Sequence, residues 1–517
     1  MNRISVLLSS EGTYPCHKGG VSTWCHVLTQ KLPEIDFTLL SIIANPYLPT
    51  RYDLSANVKQ VVKIPLWGTD DPVEYSWRWP FSTALKSKIA TTNRAIAINF
   101  IPLFDRFLNT ILFPNIDIEK FGYLLAEMHN YFRIYDYHKT LTSKLVWSTF
   151  SEIMLSNWQE KATFTEPTLV DLTEAIRLMY RFLLSIHVPI PKTDITHSSA
   201  AAFCGLPSVI AKIQRGTPYL LTEHGIYVRE QYLNLPRSIP SAFVRLFMYK
   251  LIAAVVKVNY HFADIISPVC AYNSRWERWW DIPQEKIEII YNGADSNVFH
   301  PTPPTDNGKP IIVNVGLIFP LKGQLDLIAA AAIVKEKFPT VEFRFYGKAS
   351  DENYFNECKK LVAKHNLEEN INFAGFTSEP WRAYSEADIV AMASISEGFP
   401  FAVIEAMLSK ATLVCTDVGG VREAIADTGI LVTASRPMEM AAAIIKLLEL
   451  PPEERKKYGE LALERSLKLF TQKTFLQQHL DIYQKLADRA LFSPKNLVEN
   501  QPKTTDKNQQ KFSTSRF

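Results

Sequence analysis

Lys322-Gly323 follows an apolar run at 311–315 and precedes helical spacing that begins at Gln324. A helix N-terminus presents unpaired N–H groups and the positive end of the helix dipole. A lysine there adds a point charge suited to a diphosphate. A solvated lysine capping a turn has the same local sequence. The spacing GxxxxGK[ST] of a P-loop is absent around it. A second group is Ser394-Ile395-Ser396-Glu397-Gly398-Phe399-Pro400, with Glu405 eight residues after Glu397 and Pro400 placed to open a helix. One carboxylate at a strand end and another on the following helix can take separate hydroxyls of an extended ligand; solvated helix acids are the plainer reading. Thr222-Glu223-His224-Gly225 ends another apolar run, so His224 is either a polar contact in a cleft or a satisfied structural histidine. Gly19-Gly20 would let backbone approach a phosphate, or form a simple tight turn. Tyr291-Asn292-Gly293-Ala294-Asp295 is a turn by composition.

These groups need elements to hold them. Residues 4–9 form an apolar run that leads through Glu11-Gly12 and Gly19-Gly20 into helical spacing at 21–32. Residues 311–315 lead through Gly316 and Lys322-Gly323 into a helix at 324–337 in the same way. The later half continues with strands at 341–346, 371–374, 389–393 and 412–416. Helical segments alternate with them at 353–365, 383–387, 401–409 and 421–425. Strands without period-2 polarity, alternating with amphipathic helices, predict a parallel sheet covered on both faces. The front half shows strands of the same kind at 37–43, 61–64, 195–198, 219–222, 265–268 and 287–291. Between 77 and 188 the pattern turns aromatic-rich and helical, which predicts a helical insertion, either structural or binding an acceptor or partner. The division is a first Rossmann-like domain at 1–300, a linker at 301–308 rich in proline, and a second Rossmann-like domain at 309–470. A closing helix at 471–490 and a disordered tail at 491–517 complete the chain. Two such α/β domains face a cleft between the carboxyl ends of their sheets, where ligands of doubly wound folds bind.

Composition narrows the function classes. The 517 residues are 47% hydrophobic and 21% charged, the balance of a globular chain of several domains. Lys plus Arg number 56 against 53 Asp plus Glu, and the tail from Leu491 supplies the whole excess. A near-neutral body argues against nucleic acid as a partner. Six scattered cysteines with no CxxC pair predict reduced, mostly buried thiols. The apolar stretches 95–114 and 246–267 carry charges within them, so neither is read as a membrane span.

Taken together and in order, these motifs resemble the retaining glycosyltransferase family 4, which has the GT-B fold. The second half carries Gly316 with Lys322-Gly323, the Glu-x7-Glu pair Glu397 and Glu405, Asn292-Gly293-x-Asp295, and Asp-Val-Gly-Gly-Val-Arg-Glu at 417–423. The front half resembles a narrower PelF-type branch through Glu11-Gly12-Thr13-Tyr14-Pro15, Gly19-Gly20-Val21-Ser22 with Trp24, and Thr222-Glu223-His224-Gly225-Ile226-Tyr227. The resemblance implies transfer of a sugar, with retention, from a nucleotide-sugar such as UDP-glucose to a saccharide or lipid-linked acceptor in exopolysaccharide or cell-surface glycan synthesis. It implies Lys322 on the diphosphate, Glu405 on the ribose, and Glu397 on the donor sugar. His224 would face the sugar or acceptor, making Lys322, Glu397 and His224 the catalytic set. Gly19, Gly20, Gly316, Gly323, Gly398, Phe399 and Pro400 would line the donor, with Asn292 and Glu11 as further candidates. It implies no metal and no cofactor beyond the donor. The expected location is cytoplasmic or peripheral at the inner membrane face, with membrane polysaccharide-synthase subunits as partners. One position departs: the family's phosphate-binding Arg after the first Gly is Leu317 here. Arg215, Arg229 and Arg275 are the candidates to replace it. The same departure leaves open a non-catalytic nucleotide-sugar-binding subunit of a membrane synthase.

Overall fold

The computed structural model describes residues 3–69, 71, 73–76, 79–112, 117–159, 166–302 and 308–491. Within these, twelve strands form two sheets of six, each parallel throughout. The first contains β1 (Ile4–Glu11), β2 (Ile35–Ile43), β3 (Val58–Pro65), β4 (Ile195–Ser198), β5 (Tyr219–Glu223) and β6 (Ile265–Pro268). The second contains β7 (Ile311–Val315), β8 (Glu342–Tyr346), β9 (Ile371–Gly375), β10 (Ile389–Met392), β11 (Leu413–Thr416) and β12 (Ile430–Val432). The orders are β3-β2-β1-β4-β5-β6 and β12-β11-β10-β7-β8-β9. Renumbered from β7, the second order is the first again. The strand order of each sheet reverses once, at β1/β4 and at β7/β10, and the loops leaving those strands open on the crevice.

Each sheet is apolar on both faces. Val6, Leu8, Phe37 and Leu39 point to one side of the first sheet, Leu7, Leu40 and Ile42 to the other. In the second, Ile312, Phe343, Ile389 and Ala391 oppose Ile311, Val313, Val390 and Met392. The insertion between β3 and β4 is helical, as its pattern predicts, and supplies much of the larger core. Its helical run 93–112 is long and apolar enough to cross a membrane by length and composition. Phe100, Phe104, Phe107 and Leu108 are nonetheless fully buried against the rest of this core, so it packs as a core helix.

One expectation is corrected. The segment 287–291 is not a strand. Ile287 makes a single bridge to Ile266, and Glu288 N and Ile290 N donate to Ile266 O and Pro268 O. The chain then leaves the edge because its next backbone groups are taken by the second lobe, Ala294 N donating to Phe470 O at 3.0 Å. The chain closes with two helices, Pro452–Leu469 and Gln472–Leu491. They break where Phe470 O and Gln472 N pair with Ala294. The second of them returns to the first lobe, where Phe475, Ile482, Tyr483 and Leu486 pack under β1 and β4. Part of the expected linker (303–307) and the tail beyond 491 lie outside the described residues.

Candidate active site

The loops that leave β7 and β10 are zipped together. After β7 comes a short turn, Pro320–Lys322, then Gly323 in the left-handed region (φ 65°), then the helix Gln324–Lys337. A Cβ at Gly323 would stand 2.0 Å from Ala393 O, so this glycine lets the end of β10 pass. Ile395 N donates to Leu321 O at 2.8 Å. The outcome is an ion pair: Lys322 Nζ donates to Glu397 Oε1 at 2.6 Å, both side chains mostly buried. Two motifs 75 residues apart in sequence thus meet at the switch point of the second sheet.

Glu405 lies one turn into the helix Phe401–Leu408, which Pro400 opens without a side-chain cap. Tyr384 OH donates to Glu405 Oε2 at 3.1 Å. Burial lifts the Glu405 carboxyl to about 7, against that hydrogen bond, which pulls it down. The N-cap residues of the helices starting at Gly20 and at Gln324 likewise supply no side-chain cap, although in the second Leu325 N donates to Tyr354 OH at 3.2 Å. The Phe401 ring lies 3.9 Å from where a Gly20 Cβ would stand, which brings the first-lobe helix start against the second-lobe one. No atom would come within 4 Å of a Cβ at Gly19 or Gly316, so both backbones face open space.

The first lobe reaches the same loops from the other side. A Cβ at Gly398 would stand 2.2 Å from His224 O, so the His224 backbone abuts the residue after Glu397. The His224 ring lies edge-on to Trp24 at 4.7 Å, and burial pushes its pKa down to about 3. It is therefore a neutral imidazole at pH 7, fit to hydrogen-bond but not to supply positive charge. Asn292 Nδ2 donates to Phe399 O at 2.8 Å, tying the segment after β6 to the same loop. Glu11 sits deeper, accepting from Tyr227 OH at 2.9 Å and Cys204 N at 3.3 Å, with its pKa raised by burial. That geometry braces β1 against the helix Tyr227–Ser238. Both of these partners belong to the first lobe.

Leu317 is half-exposed, its carbonyl accepting from Gln324 Nε2 at 2.9 Å. Of the three arginines that might replace the missing charge, Arg229 reaches across: its Nη1 donates to Ser396 Oγ at 3.3 Å, one residue from Glu397. Arg215 donates to Pro191 O within the first lobe, and Arg275 stacks on Tyr272 at 3.6 Å. Glu423, the last residue of the 417–423 motif, has a role that the motif alone does not reveal. It accepts from Ala271 N at 2.7 Å and from Tyr272 N, capping the first-lobe helix Ala271–Trp279 from the second lobe. The run Gly419-Gly420 before it was legible. A Cβ at Gly419 would stand 1.9 Å from Glu397 O, and one at Gly420 would stand 2.8 Å from both Gly398 O and Cys270 Cβ. All six cysteines are free and buried, and among the described residues no three His, Cys, Asp or Glu side chains are placed to hold a metal ion.

Two mirrored doubly wound sheets facing each other across such a site define a GT-B architecture, and comparison with known proteins agrees. Residues 4–280 match the family described as Domain of unknown function (DUF3492), and residues 295–465 match Glycosyl transferases group 1. The chain belongs to the DUF3492 family and carries a group 1 glycosyltransferase domain behind it. The solved sucrose-phosphate synthase of Thermosynechococcus elongatus superposes with a TM-score of 0.58 at 16% identity, covering 94% of this chain and 100% of that one. Anabaena Alr3699/HepE in complex with UDP and glucose gives 0.54 at 14%, covering 92% and 98%. These likenesses establish the fold. Among curated relatives, trehalose synthase of Pyrococcus horikoshii is 32% identical over 190 residues, 35% of this chain and 45% of that protein. Alpha-maltose-1-phosphate synthase of Mycolicibacterium smegmatis is 24% identical over 351 residues, 62% and 86%. The chain spans less than half the length of the first curated relatives it matches.

Proposed function

We propose that this protein is a retaining, metal-independent glycosyltransferase of the family 4 type and PelF-like branch. It would move a sugar from a nucleoside-diphosphate sugar, UDP-glucose or a close analogue, to a hydroxyl acceptor in exopolysaccharide or cell-surface glycan synthesis. The observation that carries this reading is the Lys322–Glu397 pair at the β7/β10 switch point, flanked by two helix starts and met by the His224 backbone from the first lobe. The UDP and UDP-glucose held by the Anabaena relative supply the choice of base.

In this reading the diphosphate displaces Glu397 from Lys322 and takes the ammonium together with N–H groups of the first turns. The freed Glu397 turns to hydroxyls of the donor sugar, and Glu405 accepts from the ribose. As the bond from the anomeric carbon to the diphosphate breaks, the departing oxygen gains negative charge that Lys322 stabilises. The acceptor oxygen bonds to the anomeric carbon from the same face, and its proton passes to the departing diphosphate oxygen. The missing Arg at Leu317 removes a contact worth about 1.5–3 kcal/mol, and Arg229 beside Ser396 is placed to supply charge from the first lobe.

The test is turnover of UDP-glucose, with acceptor or as slow hydrolysis, in wild type and Lys322→Ala. Loss of one preorganised charge at the leaving group lowers turnover about 10²–10³-fold. Turnover that is unchanged in Lys322→Ala removes the role assigned to this residue. The exposed Leu317 favours a second reading, a donor-binding subunit of a membrane synthase. UDP-glucose binding without product across an acceptor panel would select it. A cytoplasmic or membrane-peripheral location belongs with either reading.

A further inference from the structure

A cavity of about 1010 Å³ opens in the first lobe, outside the crevice, between the helices Tyr227–Ser238, Ala242–Phe262 and Ala271–Trp279. Its walls are aromatic: Tyr232 pairs with Tyr249 at 5.2 Å, and Trp276, Trp279 and Trp280 follow one another at 6.2 and 5.8 Å. Tyr232 and Trp279 are 65% and 71% exposed, so the rings form a contiguous aromatic patch open to solvent. Tyr249 and His261 both line it and lie twelve residues apart on one helix, so it runs about 18 Å along that helix. Arg229, the residue that bonds Ser396 beside Glu397, also lines it.

We infer that this groove holds the non-reacting length of an oligosaccharide acceptor, whose end passes Arg229 to the Glu397 loop. The inference rests on the glycosyl-transfer reading for its direction but not for its binding chemistry. Three features favour a saccharide. The groove is chain-shaped and at the upper size of ligand pockets, too large for one sugar ring. Its rings present flat faces to the C–H faces of sugars and polar edges to their hydroxyls. Cations stand along it: Lys257 lies 5.3 Å over the Trp280 ring, and Lys286 Nζ donates to His261 O at 2.8 Å. Asp281 lines it as well; a hydrocarbon chain would take these charged groups out of water and offer them no hydrogen bond, which is unfavourable, whereas sugar hydroxyls can bond to both signs of charge.

Calorimetric titration of the full chain with cellohexaose and with hexagalacturonate tests this, with undecaprenyl phosphate in detergent micelles as the lipid arm. Saturable binding of either hexasaccharide is expected, weakened at least tenfold in Trp276→Ala and in Tyr249→Ala and largely restored in Trp276→Phe. UDP affinity, measured on the same samples, stays unchanged and shows that the variants fold. Binding of neither sugar, or equal binding by wild type and variants, overturns the groove. So does binding of the lipid alone. Saccharide binding without UDP-glucose turnover would leave the groove standing and bring down the transfer reading. Turnover without saccharide binding does the reverse.

Discussion

Lys322 is held by Glu397 before any ligand arrives, so the cation that would grip a diphosphate is already aimed and partly desolvated. Glu405 is the residue whose chemistry the protein has altered most usefully, its carboxyl lifted by burial to about 7. Ionised, it can accept two hydroxyls of a ribose; protonated, it loses that capacity. Affinity for UDP-glucose, which does not itself titrate in this range, should therefore rise between about pH 6 and 8. Glu405→Gln should bind more weakly and show a flat profile by calorimetry; a parallel rise in the variant would contradict the assignment. A second buried acid pair behaves differently. Glu223 and Glu277 are both fully buried, and burial followed by the neighbouring carboxyl holds Glu223 well above its usual range, with Glu277 raised as well. The folded state thus binds more protons than the unfolded one above the ordinary glutamate value of 4.5, so stability falls as pH rises. Glu223→Gln removes that loss. Its melting temperature should match wild type near pH 4.5 and exceed it increasingly toward pH 8, as scanning calorimetry would show.

At the scale of elements, Gly323 does for the β7 loop what no other residue can. It combines a left-handed backbone with contact to Ala393 O. Gly323→Ala would strain the backbone by about 1–2 kcal/mol and push the loops apart, separating Lys322 from Glu397 without removing either charge. Its expected signature is UDP-glucose turnover reduced at least tenfold with circular dichroism unchanged. The C-terminal helix Gln472–Leu491 is the other decisive element. Tyr483 OH and His197 Nδ1 meet at 2.8 Å beneath the first sheet, and His197 Nε2 meets Thr222 Oγ1 at 2.8 Å. Tyr483→Phe leaves a buried imidazole nitrogen unpaired, at about 1–3 kcal/mol. Urea denaturation followed by first-lobe tryptophan fluorescence should show the loss.

For the whole molecule, the crevice is bridged from both sides. Glu423 caps the helix Ala271–Trp279, Arg229 reaches Ser396, and Asn292 reaches Phe399 O. Glu423 is the acidic member of this set and accepts two backbone amides, each worth about 1.5–3 kcal/mol for a charged acceptor. Glu423→Ala should favour a wider separation of the lobes, seen as a larger radius of gyration by small-angle scattering. A raised KM for UDP-glucose should accompany it, because the first-lobe contacts of Gly20 and His224 would then form only after closure. An unchanged radius together with an unchanged KM would show that Glu423 does not hold the lobes together.

Local pattern was enough for the alternating strands and helices, the helical insertion and the loops that carry Lys322, Glu397 and Gly20. Hydrophobic period and turn residues act over a few positions and need no distant partner. The helix Gln324–Lys337 and the strands Ile195–Ser198 and Ile265–Pro268 are visible in that way. Residues 287–291 have strand composition and yet make one bridge, because pairing depends on where the following backbone is drawn, and the second lobe draws it away. Glu423 on a first-lobe helix, Arg229 at Ser396 and the aromatic groove were equally out of reach. Each joins residues more than a hundred positions apart or on separate helices, and such contacts arise only when two folded surfaces meet.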